Sequence, residues 1–364
     1  MAFNEWLVGR ARVSSRPHRA VRLDDLLTLF QQLSTLISSG TPLLQALRIS
    51  VEENQSLRLR QVLQEMASRV ASGVPVHAAA AAHPRIFQAH WVEVIRTGEL
   101  TGQMGPVLQE LARQVRDSRE VRRKISAALV YPVILAFVAV AALSIMLWFV
   151  VPTFAAMFKD MGTSLPGPTQ FVIDASGLIV DYGLVLGSAA VIALAIFRRY
   201  ARSESGRRRL VSLGLATPVV GEFLVQTAMY RFASNLALLL KSGVPMLQAL
   251  EALGGVFHAN PVYREALAHA QINVASGRPL ALALEETGLF TSMVTNMERI
   301  GEESGQLAEM MEQLAPYYKE KTETLVMKIT KLLEPAIIIG MGAAIAAVMV
   351  AIYLPMFEMA GKIH

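Results

Sequence analysis

Gly98-Glu99-Leu100-Thr101-Gly102-Gln103 and Gly301-Glu302-Glu303-Ser304-Gly305-Gln306 stand 203 residues apart in the chain. Each is followed by a helical run and then by a proline opening a long apolar segment, Tyr131-Pro132 in one case and Glu334-Pro335 in the other. The same offset carries Pro152 onto Pro355 at the far end of each segment, so this stretch repeats without a gap. One supersecondary unit therefore occurs twice. Upstream, a Ser-Gly-x-Pro corner occurs twice per repeat, at Ser39-Gly40-Thr41-Pro42 and Ser72-Gly73-Val74-Pro75, then at Ser242-Gly243-Val244-Pro245 and Ser276-Gly277-Arg278-Pro279. Glycine can take the left-handed conformation just past a helix end, and proline suits the first turn of the next helix. Four such corners predict stacked helical hairpins.

The segments between corners have helical periodicity. Leu23, Leu26, Leu27, Phe30, Leu33, Leu36 and Ile37 share one face, and Leu43 to Glu53 and Leu57 to Val70 carry apolar residues at three-and-four spacing. A further helix is predicted over Phe87 to Arg96, ending at Gly98, and a polar one over Val107 to Lys124. No stretch alternates for long like a half-buried strand, so each soluble region reads as a small antiparallel helical bundle.

Apolar residues make up 53% of the 364, charged residues 17%, and the mean hydropathy is +0.41, which places part of the chain in lipid. Ala127 to Val151, at about 1.5 Å per residue, is long enough to cross a hydrocarbon core of roughly 30 Å. Pro132 is expected in its first turns, where a missing backbone donor costs least. Arg113, Arg116, Arg119, Arg122, Arg123 and Lys124 precede this span, six arginines from Arg198 to Arg209 follow the next, and Lys319, Lys321, Lys328 and Lys331 precede the last. The stretch between the first two spans carries one lysine, Lys159. The positive-inside rule then puts both bundles in the cytoplasm. The fold class is an all-α membrane protein with two repeated cytoplasmic antiparallel helical bundles and three transmembrane helices. Its expected boundaries are a basic leader over 1–22, a bundle over 23–126, a span over 127–151, an outer loop over 152–176, a span over 177–197, a bundle over 198–331, a span over 332–354 and an outer tail over 355–364. The unpaired middle span returns the chain to the cytoplasm so that the second repeat can start there. In the leader, Phe3, Trp6, Leu7 and Val8 beside Arg10, Arg12, Arg16 and Arg19 read either as a mobile basic segment or as one lying on an anionic membrane surface. The net charge of +5 and pI near 9.5 follow from basic residues beside the spans, and nucleic acid is not expected as a partner.

Catalytic chemistry finds no constellation. There is no cysteine, and Gly361-Lys362 lacks the rest of a phosphate loop. The seven histidines have no metal-ligand spacing, and Gly301 to Gly305 is not a nucleophile elbow. Neither cofactor nor metal is expected. Two readings of the Gly-Glu-x-Ser/Thr-Gly loops stay open. In one, glycine closes a helix, Thr101 or Ser304 caps the next, and Glu99 or Glu302 lies at that helix's N-terminal end. In the other, the carboxylates face a partner protein. Glu334 either sits at headgroup depth or makes an inter-helix or inter-subunit hydrogen bond, which Tyr131 could join. Gly183 with Gly187, and Gly340 with Ala344, place small residues one turn apart and permit close helix approach.

With the doubled Ser-Gly-x-Pro corner and its Leu-Gln-Ala-Leu tail, the doubled Gly-Glu-x-Ser/Thr-Gly, Tyr131-Pro132, Glu334-Pro335, and Pro218-x-x-Gly221 leading to Arg231-Phe232, the chain resembles the F/C family. These are the polytopic inner-membrane platform proteins of bacterial type II secretion and type IV pilus assembly. The likeness covers roughly Leu23 to Phe357; members often carry an extra N-terminal segment where this sequence has a short basic leader. The resemblance implies a non-enzymatic scaffold in the bacterial inner membrane, with its N-terminus cytoplasmic and its C-terminus periplasmic. It implies contacts with a hexameric secretion or pilus assembly ATPase, with pilin or pseudopilin subunits, with other inner-membrane components and with further copies of itself as a homo-oligomer. Gly98, Glu99, Gly102, Tyr131, Pro132, Gly301, Glu302, Gly305, Glu334 and Pro335 are the expected partner-binding or assembly residues. The rival classes are a transporter, which three spans with almost no charge along them disfavour, and a regulatory membrane scaffold.

Overall fold

The computed structural model describes residues 20–160 and 167–361. Most of the expected leader, with Phe3 to Arg19, and the end of the expected tail, 362–364, lie outside the described residues. Fifteen helices and no strand occur among those described. They are α1 (Leu23–Ser38), α2 (Leu43–Glu53), α3 (Leu57–Ala71), α4 (Val76–Ala81), α5 (Ala89–Thr101), α6 (Met104–Ile145), a π-helical turn at Met146–Val150, α7 (Val151–Asp160), α8 (Gly167–Arg202), α9 (Glu204–Ala216), α10 (Pro218–Lys241), α11 (Met246–Val256), α12 (Pro261–Ala275), α13 (Leu280–Glu285), α14 (Ser292–Ser304) and α15 (Leu307–Gly361).

Two compact units result. The described residues up to Arg123 join Gly214–Thr322 in one helical unit, and Lys124–Leu213 joins Glu323 onward in a second unit of long helices. The two bundles expected from the repeat are thus packed together as a single body.

The corners form as their residue types require. Gly40, Gly73, Gly243 and Gly277 have φ of 88, 91, 82 and 88°, a conformation open to glycine at little steric cost. At the first, the N–H of Gly40 reaches the carbonyl of Ile37 and that of Thr41 reaches Leu36, both at 3.0 Å, satisfying carbonyls left over at the helix end. The prolines sit one residue earlier than expected, at the cap: Pro42, Pro75, Pro245 and Pro279 each stand immediately before the first helical residue. The offset between repeats is also not constant. α2 and α11 are related by 203, α3 and α12 by 204, and α5 and α14 by 203 again. The connection 257–260 carries the extra residue relative to 54–56, and 286–291 is shorter by one than 82–88.

Both halves of the helical unit have a packed interior. Leu29, Leu47, Leu59, Leu63, Leu108 and Leu111 are under 2% exposed, and burial of each such side chain contributes about 1.5–3 kcal/mol. Phe30 meets Trp91 edge-on at 5.6 Å between ring centres. In the second half Phe290 meets Phe232 at 4.9 Å and Tyr263 at 5.8 Å, while the Tyr263 hydroxyl donates to the carbonyl of Leu289 at 3.1 Å.

Among the described residues, the helical stretches long and apolar enough to cross a membrane include Met104–Met157, Pro218–Lys241 and Leu307–Leu354. Burial separates them. The most apolar window is 6% and 17% buried in the first and third but 56% buried in Pro218–Lys241, which packs Phe232, Leu236 and Leu239 into the helical unit. Apolar surface already covered by protein gains little from lipid, so α10 is a core helix. The expected second span, 177–197, lies instead on α8, where Val185, Val191, Ile192, Ile196 and Phe197 are all more than half exposed.

Two boundaries differ from the sequence reading. The polar helix and the first span are one continuous helix, α6, so Pro132 sits in a helix interior rather than in first turns. The sequence placed a boundary where polarity changes, but the backbone repeat is indifferent to polarity and nothing at 125–126 breaks it. The stretch 152–176 is also largely helical, holding α7 and the start of α8, with 161–166 outside the described residues.

Within the long-helix unit α6 and α15 lie side by side, parallel and in register. Lys124 pairs with Glu323 at 2.8 Å, Tyr131 with Glu334 at 3.1 Å, and Val151 clusters with Val348 and Ile352. Where α-helical pairing lapses at Met146–Val150, the Ser176 hydroxyl of α8 donates to the carbonyl of Leu147. Thr169 donates to the carbonyl of Ala351 at 2.7 Å. Such bonds hold backbone polar groups that lipid cannot satisfy.

Candidate functional site: the paired carboxylate clamps

Pro75 and Pro279 have no side chain able to accept a bond from the first amides of α4 and α13, so those amides need another partner. Glu99 provides it in the first repeat: its carboxylate accepts from the N–H of Val76 at 2.8 Å and of His77 at 3.2 Å. Glu302 does the same in the second, accepting from Leu280 at 2.6 Å and Ala281 at 3.1 Å. A helix N-terminus favours a negative charge, and charge-assisted bonds are the stronger kind. Each glutamate thereby ties the last turn of one helix to the start of the short helix after the second corner.

The rest of the motif places that carboxylate. Gly102 and Gly305, both at φ 71 and ψ 12, terminate α5 and α14 in the left-handed conformation. Gly98 and Gly301 lie inside these helices, against Val107 and Leu307 at the start of the following helix. The sequence reading of a helix ending at Gly98 is therefore corrected to one ending at Thr101, because the αL stop is the second glycine. The capping reading is corrected too. Thr101 and Ser304 bond carbonyls one turn back in their own helix, at 2.8 and 2.7 Å, and the helix capped by each glutamate is an earlier one. Sequence could not supply this, since the capped amides lie 21–23 residues upstream.

The two clamps are not identical. In the first, His77 Nδ1 also lies 2.6 Å from Glu99 Oε2. Partial burial would raise the Glu99 carboxyl, but the His77 bond and the two amides outweigh it and hold the group below the ordinary carboxylate value. A folded-state pKa below the unfolded one stabilises above the unfolded pKa and is lost as pH falls through the folded value. Glu99→Ala is therefore expected to lower stability by about 1–3 kcal/mol at pH 7 by leaving two amides unpaired. The difference from the parent should shrink below about pH 4, measured by urea unfolding over a pH series; a pH-independent difference would refute the ionised clamp.

In the second clamp the unusual neighbour is Glu298, one turn before Glu302. It is fully buried, with neither carboxylate oxygen partnered, and desolvation followed by the charge of Glu302 raises its pKa well above the ordinary value. No motif in the sequence marks Glu298, although the 203-residue offset sets it against Ile95. Between the repeats runs a polar seam that no sequence motif marks either. Trp91 donates to Gln114 at 3.0 Å and Gln114 to Asn235 at 2.6 Å, while Arg96 bonds Gln248. Lys319 reaches Asp117 at 3.0 Å and Glu120 at 2.7 Å. Desolvation would lower the lysine, but these two carboxylates raise it. A cleft of about 1100 Å³ beside this seam is lined by Ser34, Ser38, Glu110, Arg113, Arg116 and Lys241, among others.

The second pair of expected residues also meets. The Tyr131 hydroxyl donates to Glu334 Oε1 at 3.1 Å, joining equivalent positions of the two repeats. Pro132 is buried beside Tyr131, and Pro335 is exposed. Among the described residues no three histidine, aspartate or glutamate side chains are grouped to hold a metal.

Comparison with known proteins follows the repeat. A family model for type II secretion system protein F matches residues 29–152 and again residues 232–355, together more than half of the chain. The type IV pilus assembly protein PilC of Thermus thermophilus is 34% identical over 346 residues, covering 95% of this chain and 85% of its own. The type IV pilus assembly protein TapC of Aeromonas hydrophila is 32% identical over 336 residues, covering 92% and 81%. The type II secretion system protein F of Pseudomonas aeruginosa is 32% identical over 341 residues, covering 94% and 84%. A chain that carries the doubled match and this similarity over nearly its whole length belongs to the type II secretion system protein F family.

Proposed function

We propose that the chain is a platform protein of the bacterial inner membrane in a type II secretion or type IV pilus assembly machine. It couples a cytoplasmic assembly ATPase to the polymerisation of pilin or pseudopilin subunits. The observation that carries this reading is the in-register, parallel pairing of α6 and α15 through Lys124–Glu323 and Tyr131–Glu334. Two parallel spans entered from the same side leave both soluble halves in one compartment, and the arginine and lysine clusters before them favour the cytoplasm. Such a protein recognises its partners from the cytoplasm and within the bilayer. On this reading Gly98, Glu99 and Gly102, with Gly301, Glu302 and Gly305, shape the ATPase-facing surface by fixing the short helices α4 and α13. Tyr131, Pro132, Glu334 and Pro335 hold the spans together and meet an incoming pilin helix.

Cysteines placed near residues 60 and 265 are expected to label from the same side of the membrane, and photo-crosslinkers flanking Gly98 and Gly301 to capture the ATPase. Glu302→Gln and Glu334→Gln should each impair secretion or piliation by tenfold or so while the protein stays in the membrane at parental level, tenfold being the loss of about 1.4 kcal/mol. Parental function in both variants would refute the assigned roles.

A further inference from the structure

The two clamps are built alike and finished differently. In the first, Glu99 Oε2 has a second contact besides the N–H of His77: the imidazole Nδ1 of the same residue, at 2.6 Å, on the second position of α4. In the second, that position of α13 is Ala281, whose methyl group has nothing to donate. Among the described residues, Glu302 Oε2 accepts only the N–H of Ala281, at 3.1 Å. A carboxylate oxygen has two lone pairs, so one acceptor position stays open there.

The open position belongs to a groove of about 650 Å³, whose walls include Val274, Pro279, Leu282, Glu302 and Glu303. Leu282 is 43% exposed. Arg278 and Arg299 also line the groove, but each already holds a carboxylate, Glu286 and Glu285 respectively. Glu303 is exposed and has neither hydrogen bond nor ion pair among the described residues. Four carboxylates therefore stand against two guanidinium groups, and the unmet capacity is that of acceptors. An anionic occupant would find both arginines taken and Glu303 repelling it.

We propose that this groove seats a basic side chain, arginine or lysine, of a partner protein. Its charged end bonds Glu302 Oε2 as His77 bonds Glu99, and its methylene stem lies on Val274 and Leu282. The first repeat fills its clamp from within, and the second is completed from outside. The proposal rests on the second clamp lying on a partner-facing surface, as in the proposed function, and assigns charge recognition there to one repeat rather than to both.

The sequence has no cysteine, so single cysteines report on each clamp in the full-length protein. Leu282→Cys and its counterpart in the first repeat, Ala78→Cys, are labelled with an uncharged maleimide. Labelling is repeated with a short acetylated peptide carrying one arginine among alanines, or with its citrulline twin. The arginine peptide is expected to protect Leu282→Cys at concentrations about tenfold lower than the citrulline peptide, and to leave Ala78→Cys unprotected. Ala281→His should supply the missing donor within the chain and abolish the protection. Glu303→Gln should raise the protecting concentration about threefold, as loss of a partly exposed pair does. Unfolding at the parental temperature shows that Ala281→His is folded; if it is not, the exposed substitution at Glu303 carries the test. Equal protection by the two peptides, equal protection of the two cysteines, or protection that survives Ala281→His would overturn the proposal. No ATPase takes part in the labelling, so failure to capture one beside Gly301 would sink the platform reading and leave the groove standing.

Discussion

Gly301→Ala is expected to lower the unfolding free energy of the protein by about 1–3 kcal/mol, the cost of forcing one methyl group into filled space. A Cβ at this position would stand 2.8 Å from both Cα and Cδ1 of Leu307. The Cδ1 can rotate away, but the Cα is backbone at the start of α15, so relief requires α14 and α15 to separate. Separation would also draw Glu302, the next residue, away from the amides of Leu280 and Ala281. Gly98→Ala should cost somewhat less, because the nearest atom that cannot rotate away, Cβ of Val107, would stand 3.0 Å off rather than 2.8 Å. Thermal unfolding of the two variants in the same detergent checks the order; equal stability of Gly301→Ala and the parent would show that the helix crossing is loose and that the first glycine of the motif has another purpose.

Glu298→Met is expected to act in the opposite direction, raising stability at neutral pH by about 1–3 kcal/mol, the cost of a buried polar group without partners. Methionine fills a similar volume, and the first repeat already places an apolar residue, Ile95, at the equivalent position. The sign of the pH dependence follows from the raised pKa of Glu298. The folded protein keeps this proton at pH values where the unfolded chain has released it, so stability falls as pH rises above the ordinary carboxylate value of 4.5 toward the folded one. Glu298→Met should remove that slope, and Glu298→Gln should flatten it without the gain in stability. Urea unfolding of the three proteins between pH 5 and pH 8 would sink this account if the parent had no slope that Glu298→Met abolishes.

The helices, the corners and the repeat were legible in the sequence because each depends on residues close along the chain. Three-and-four spacing of leucines, a glycine that can take φ near 88° and a proline at a helix start act locally, whatever lies elsewhere. The pairing of Tyr131 with Glu334 could also be anticipated, since parallel spans in one register set equivalent residues at one depth. The exact stop of α5 could not: two glycines compete within five residues, and only the packing of Gly98 on Val107 decides that the helix runs on to Thr101.

By itself, then, the sequence determined an all-α chain of two like repeats with apolar helices long enough for a bilayer, because periodicity, turn chemistry and hydropathy are properties of short windows. Only the tertiary structure decided that Glu99 and Glu302 close helices begun more than twenty residues upstream, that Glu298 is buried without a partner, and that α10 belongs to a protein core while α8 bares its apolar side chains. Those outcomes depend on which surfaces come together in space, and equal hydropathy can be spent on protein or on lipid until packing assigns it.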